Sequence, residues 1–205
     1  MYRKLWFIAL ALMFSAHALA NQTPEDVVES AINIITEELR ENRDTYRDDH
    51  EALRSLVREH LIANTDEVYS ARLILGRHGR SASDEQIERF AKALTSMLVQ
   101  RYADGLLEME SDDKVEIMPR SRDESANIVR VRTRIHLASG TRVPVDYVFR
   151  QNEGRWLVFD VVVEGISYIN TFRNQFNTEI QRNGLEKTIE RLEAGEIDIE
   201  AEQNA

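Results

Sequence analysis

The sequence predicts an α+β fold, a curved antiparallel sheet of about four strands wrapped by helices, on three observations. Apolar residues recur at helical spacing through the first half, at a spacing of two from Lys114 to Val163, and at helical spacing again from Ile166 to Leu192. Alternating strands joined by short turns pair antiparallel, and the flanking helices are available to cover their apolar face.

Taking the elements in order, Thr23 before Pro24, Glu25 and Asp26 is a helix start, with a capping hydroxyl, proline at the first helical position and acids at the positive end of the dipole. Val28, Ala31, Ile32, Ile35 and Leu39 form its apolar stripe. A more polar second helix is expected from about Asp44 to Leu61, burying Leu53, Leu56, Val57 and Leu61. Thr65 can cap a short third helix that Gly76 ends. Ser83-Asp84-Glu85-Gln86 makes a capping box for a long helix in which Ile87, Phe90, Ala91, Leu94, Met97 and Leu98 recur.

Four strands are expected at Val115 to Met118, Asn127 to Leu137, Arg142 to Gln151 and Trp156 to Val163, with turns at Ser139-Gly140 and Asn152-Glu153-Gly154. Val129, Val131, Thr133, Ile135 and Leu137 share one face of the second strand, and Arg130, Arg132, Arg134 and His136 the other. Val143, Val145, Tyr147 and Phe149 line one side of the third strand, and Leu157, Phe159, Val161 and Val163 one side of the fourth. Ser167 is placed to cap the last helical segment, and residues 196–205 are expected to form a disordered acidic tail.

The first twenty residues have the pattern of a signal peptide. Arg3 and Lys4 precede the apolar run Leu5 to Phe14, and Ala18-Leu19-Ala20 is a small-x-small cleavage signal, so the mature chain is expected to start at Asn21. The run is too short for a membrane span of roughly 20 apolar residues. The chain contains no cysteine, which removes lipid attachment, disulfides and thiolate metal ligands together, and points to a freely diffusing periplasmic protein. Residues 21–195 are long enough to bury one core as a single domain. Loss of the leader removes two positive charges and no negative ones, taking the net charge from −10 to −12. Such a surface repels nucleic acid.

The segment Trp156 to Phe176, WLVFDVVVEGISYINTFRNQF, resembles the MlaC family of periplasmic phospholipid-binding proteins, also called toluene-tolerance auxiliary proteins. The likeness continues in the Leu75-Gly76 pair with its basic loop, in Glu85-Gln86 with Phe90, and in Arg101-Tyr102. One position departs from the pattern: Gly79 stands in Arg77-His78-Gly79-Arg80 where an aromatic residue is expected.

The resemblance implies an apolar cavity between sheet and helices that holds phospholipid tails, making residues 21–195 a lipid-binding domain. It further implies a carrier shuttling phospholipid between an outer-membrane lipoprotein-porin complex and an inner-membrane ABC transporter with an MCE-domain ring, maintaining outer-membrane lipid asymmetry. Phospholipid is the cargo and no cofactor is expected. An acidic shuttle of this kind is expected to be a monomer.

Candidate lipid-binding residues are Val131, Val145, Tyr147, Phe149, Val161, Ile166, Tyr168 and Phe172, although each of them suits an ordinary core equally well. Tyr147 and Tyr168 suit a pocket rim, each having an apolar ring and a polar tip. Two other classes stay open, an acid-base enzyme on a curved sheet and a non-lipid adaptor. Asp160 interrupts an apolar run, but a turn-holding or ion-paired aspartate accounts for it without catalysis. His50, His60, His78 and His136 lack metal-ligand spacing, and Gly165-Ile166-Ser167 has no partner base, so no catalytic or metal-binding set is named. The Arg130, Arg132, Arg134 face is either a solvated strand face paired with acids or a docking surface.

Overall fold

A computed structural model describes residues 22–109, 114–119 and 126–197. Residues 1–20, which carry the leader pattern, and residues 198–205 of the expected acidic tail lie outside the described residues. Helices α1 (Pro24–Asp48), α2 (His50–His60), α3 (Glu67–Leu75) and α4 (Asp84–Tyr102) come first, followed by a 3-10 turn at Ala103–Glu108. Strands β1 (Lys114–Ile117), β2 (Ile128–His136), β3 (Arg142–Asn152), β4 (Arg155–Val163) and β5 (Ile166–Ser167) then form one antiparallel sheet in chain order. Helices α5 (Tyr168–Asn183) and α6 (Leu185–Glu193) close the fold. The α+β expectation holds, with the two-residue β5 added as a fifth strand.

The caps explain where the helices start. Thr23 and Asp26 exchange side-chain-to-backbone hydrogen bonds, as do Ser83 and Gln86, so both capping boxes form. The second helix begins later than expected. α1 continues through the non-helical Asn42 (φ −121°, ψ 17°) to Asp48, and α2 starts only after Asp49, whose carboxylate accepts from the amides of Glu51 and Ala52. The third helix is capped by Asp66, not Thr65: Asp66 Oδ1 accepts from Tyr69 N at 3.1 Å. A carboxylate competes better than a hydroxyl for amides that carry the positive end of the dipole.

At the α1 kink, Glu38 Oε2 accepts from Tyr46 Oη at 2.7 Å and Asn42 Nδ2 at 2.9 Å. Burial, reinforced by the Glu38 carboxylate, pushes the Tyr46 phenol up to about 12. Between pH 10 and 12 the unfolded chain therefore releases a proton that the folded chain keeps. Tyr46 contributes stability that is fully present below pH 10 and is lost as pH rises through about 12. Thermal melts at pH 9 and pH 11 are expected to show a smaller drop in Tyr46→Phe than in the parent. Equal drops would mean that Tyr46 titrates alike in both states.

Three apolar clusters organise the interior. Val27 and Val28 of α1 pack on Val129, Val131 and Phe149 of the sheet. α1 and α2 meet the end of α4 around Leu39, Leu53, Val57 and Val99. α3 to α6 enclose Phe90 and Phe176, whose rings meet edge to face at 4.7 Å. Ile197 is buried in this third cluster and Glu196 N donates to Arg191 O, which corrects the expectation that the tail leaves the fold at residue 196.

The β3–β4 pairing slips by one residue. Val148 lies opposite Asp160 and Phe149 opposite Val158, leaving Phe159 as an extra residue in a β-bulge. Val161 and Val163 stay on the helix-covered side, as expected. Beyond the bulge the parity reverses: Val158 and Trp156, not Leu157, pack with Phe149 in the α1–sheet cluster. Phe159 meets Tyr69 of α3 edge to face at 5.1 Å. The opposite face is not uniformly wet either, since Val148 and Val162 are buried on it.

Candidate functional site

Two apolar cavities lie side by side against β4. The first, about 370 Å³, sits between α1, the turn after α2, the end of the Ala103–Glu108 turn and the sheet; Ile32, Ile35, Ile62, Leu106, Ile135, Tyr147 and Phe149 line it. The second, about 210 Å³, lies among α3, α4, α5 and β4, with Ile74, Leu94, Leu98, Phe159, Tyr168 and Phe172 in its wall. Ile62, Thr65, Val158 and Val161 border both.

The partition between them is anchored to the bulge. Asp66 N donates to Val158 O at 2.7 Å, and Thr65 Oγ1 donates to Ile62 O at 2.8 Å. Asp66 is buried and its Oδ2 accepts from Arg150 Nε at 2.6 Å, while the Arg150 guanidinium lies 4.2 Å from the Tyr69 ring centre. One aspartate thus caps α3, pairs with β3 and ties the partition to β4.

Several polar groups around the cavities are occupied by the fold. Asn64 Nδ2 donates to His60 O, and Ser70 Oγ donates to Phe159 O. Asp160 accepts from Ser167 Oγ at 2.7 Å and Ile169 N at 3.1 Å, and Ser167 in turn accepts from Asn170 N as the α5 cap. Asp160 is therefore a turn-holding residue at the strand-to-helix junction. What remains facing the two spaces is almost entirely hydrocarbon. Burial raises the Tyr147 phenol above its ordinary range, keeping it neutral. Tyr168 is raised by burial and secondarily by Tyr102.

Of the residues singled out in the sequence, Tyr147 and Phe149 line the first cavity, Tyr168 and Phe172 the second, and Val161 both. Val131 and Val145 are buried in the protein interior and line neither. Ile166 is 39 % exposed and also lines neither cavity. Sequence reasoning missed Ile62, Leu106 and Met109, which occupy the irregular turns where no periodicity marks a buried side. Ile32 and Ile35 were legible as a buried stripe, but spacing alone does not separate a stripe on solid core from one facing a void.

A larger concavity of about 790 Å³ lies between α4 and α6, where Arg89, Lys92, Arg101 and Glu193 are mixed with Met97 and Leu192. It offers no continuous apolar wall. Among the described residues no group of three or more histidine and acidic side chains is placed to hold a metal ion. On the arginine face of β2, Arg130 pairs with Asp146 at 3.3 Å, and Glu116 pairs with His136 at 2.9 Å and Arg134 at 4.0 Å. That is the solvated, acid-paired alternative.

The model of the MlaC protein family matches residues 29–194. The chain belongs to the MlaC family. It is 29 % identical over 194 residues to the toluene tolerance protein ttg2D of Pseudomonas putida, spanning 93 % of this chain and 88 % of that one. It is 24 % identical over 193 residues to the intermembrane phospholipid transport system binding protein MlaC of Haemophilus influenzae, spanning 92 % and 89 %. The MlaC architecture also matches the solved structure of a phospholipid-binding protein from Ralstonia solanacearum in complex with a phospholipid. That match has a TM-score of 0.74 and 22 % identity, over 82 % of this chain and 93 % of the other. At that identity the likeness shows the fold.

Proposed function

We propose that this MlaC-family protein is a periplasmic phospholipid carrier that holds acyl chains in the two cavities beside β4 and shuttles lipid between the outer and inner membranes. The observation that carries the reading is the pair of hydrocarbon-lined spaces with a common border at Val158 and Val161, close enough to serve two tails of one molecule. A tail offers no hydrogen-bonding groups, so a carrier must supply apolar area. At about 0.8 kcal/mol per buried methylene, two sixteen-carbon chains represent roughly 20–25 kcal/mol of exposure to water avoided. A membrane offers the same shelter, so transfer between the two is close to neutral and its direction belongs to the partners.

Export rests on the leader pattern of residues 1–20, and among the described residues no helix is long and apolar enough to cross a membrane. The partners in this reading are an outer-membrane lipoprotein-porin complex and an inner-membrane ABC transporter with an MCE-domain ring, and the carrier acts as a monomer without catalysis or cofactor. Native mass spectrometry of the protein purified from the periplasm is expected to show a chain beginning at Asn21 with bound mass that solvent extraction identifies as phospholipid. A protein that is lipid-free on isolation and takes up none from vesicles would overturn the proposal.

A further inference from the structure

The charge of this protein is strongly acidic, and many of its arginines are tied to carboxylates, as in Arg40 with Glu37, Arg72 with Asp84, Arg89 with Glu186 and Glu193, Arg150 with Asp66, and Arg191 with Glu179. The seam between the α3–α4 loop and α5 is different. Gly76 adopts φ 53° at the end of α3, which L-residues with side chains rarely reach, and the turn it permits brings Arg77 and His78 against Asn177. Arg77 Nη2 donates to Asn177 Oδ1 at 2.9 Å, and His78 Nε2 lies 3.0 Å from the same oxygen. Arg173 Nε donates to Leu73 O at 2.7 Å and its Nη1 to Asn170 Oδ1 at 3.2 Å. Arg77 and Arg80 are exposed. Among the described residues Arg77, Arg80 and Arg173 form no ion pair, and the oxygens that hold Arg77 and Arg173 are neutral.

Neutral anchors fix the direction of a guanidinium without discharging it, leaving its other donors available to a planar anion. We propose that Arg77 and Arg80, backed by His78 and Arg173, form the docking surface for a carboxylate-rich segment of a membrane-anchored partner protein, a proposal that rests on the carrier reading above. A bilayer is the poorer fit. Among the described residues the large exposed apolar side chains are Val68, Tyr102, Ile128 and Ile166, none of them in this seam, so no large apolar side chain described there inserts into lipid. The remaining surface charge also repels anionic headgroups, whereas a short directional contact acts within a screening length of about 8 Å. The position has a use as well: Ile74 and Phe172, which line the second cavity, stand two residues before Gly76 and one before Arg173. A partner seated here bears on the wall of the cargo space.

The test compares the lipid-loaded mature protein with its Arg77→Gln, Arg80→Gln double variant on three probes: membrane vesicles from the native cell envelope, the same vesicles after protease shaving, and protein-free vesicles containing phosphatidylglycerol. Wild-type protein is expected to bind native vesicles in a salt-sensitive way, and to bind shaved and protein-free vesicles at least about tenfold more weakly. The double variant, with unchanged melting temperature and lipid content, is expected to lose at least about tenfold on native vesicles and to show a flatter salt dependence. Wild-type-like binding by the variant, equal binding to protein-free vesicles, or no wild-type binding to native vesicles overturns the docking surface. Absence of lipid from the wild-type protein counts instead against the carrier reading.

Discussion

Val161→Asp is expected to cut the lipid recovered per mole of protein by at least about tenfold while leaving a folded, exported chain. Val161 borders both cavities and is not fully buried, so a carboxylate there projects into space meant for hydrocarbon and brings water with it. A tenfold loss corresponds to about 1.4 kcal/mol, a small part of what an unpaired charge costs in apolar surroundings. Val145→Asp separates the alternatives: Val145 is only 6 % exposed and lines neither cavity, so its replacement is expected to fail through the fold, seen as lost yield and a lower melting temperature. Extraction and quantification of lipid from both variants, alongside circular dichroism, decides the matter. A folded Val161→Asp protein with full lipid content would place the cargo elsewhere.

Arg150→Ala is expected to lower stability by about 3 kcal/mol, because it leaves the buried Asp66 carboxylate without its cation and removes the guanidinium from the Tyr69 face. For a chain of this size that is a fall of about 6–12 °C in melting temperature. Asp66→Asn is expected to cost less, since an asparagine oxygen still accepts from Tyr69 N. If Arg150→Ala melts with the parent, the pair contributes no net stability and Asp66 is held by its backbone contact alone.

Much of this architecture was legible before any coordinates. β1 to β4 stand within a residue or two of where alternation puts them, because a half-buried sheet writes its two faces into a period of two. The capping boxes at Thr23 and Ser83 were equally plain, since they are local chemistry. What failed was non-local. Nothing in Trp156 to Val163 announces that Phe159 is the extra residue, because the bulge is a property of the pair β3–β4 and not of β4 alone. Val131 and Val145 read just as Val161 does, and only the position of α1 and of the Ile62 turn decides which valine meets packed side chains and which meets a void. The Arg130, Arg132, Arg134 face left two readings open for a similar reason: the acids that answer Arg130 and Arg134, Asp146 and Glu116, stand on neighbouring strands and not in β2.

The bulge also makes β4 two half-strands of opposite sense joined at one spare residue. Which residue the ladder skips therefore matters there as much as residue type. Removing Phe159 would let the ladder run on with Val158 still opposite Phe149, whereas pairing Phe159 regularly with Phe149 would make every side chain from Arg155 to Val158 exchange inside for outside. In that slipped register Trp156 and Val158 would go to the solvent and Arg155 and Leu157 to the interior, so the one residue left out of the ladder keeps half a strand facing the right way.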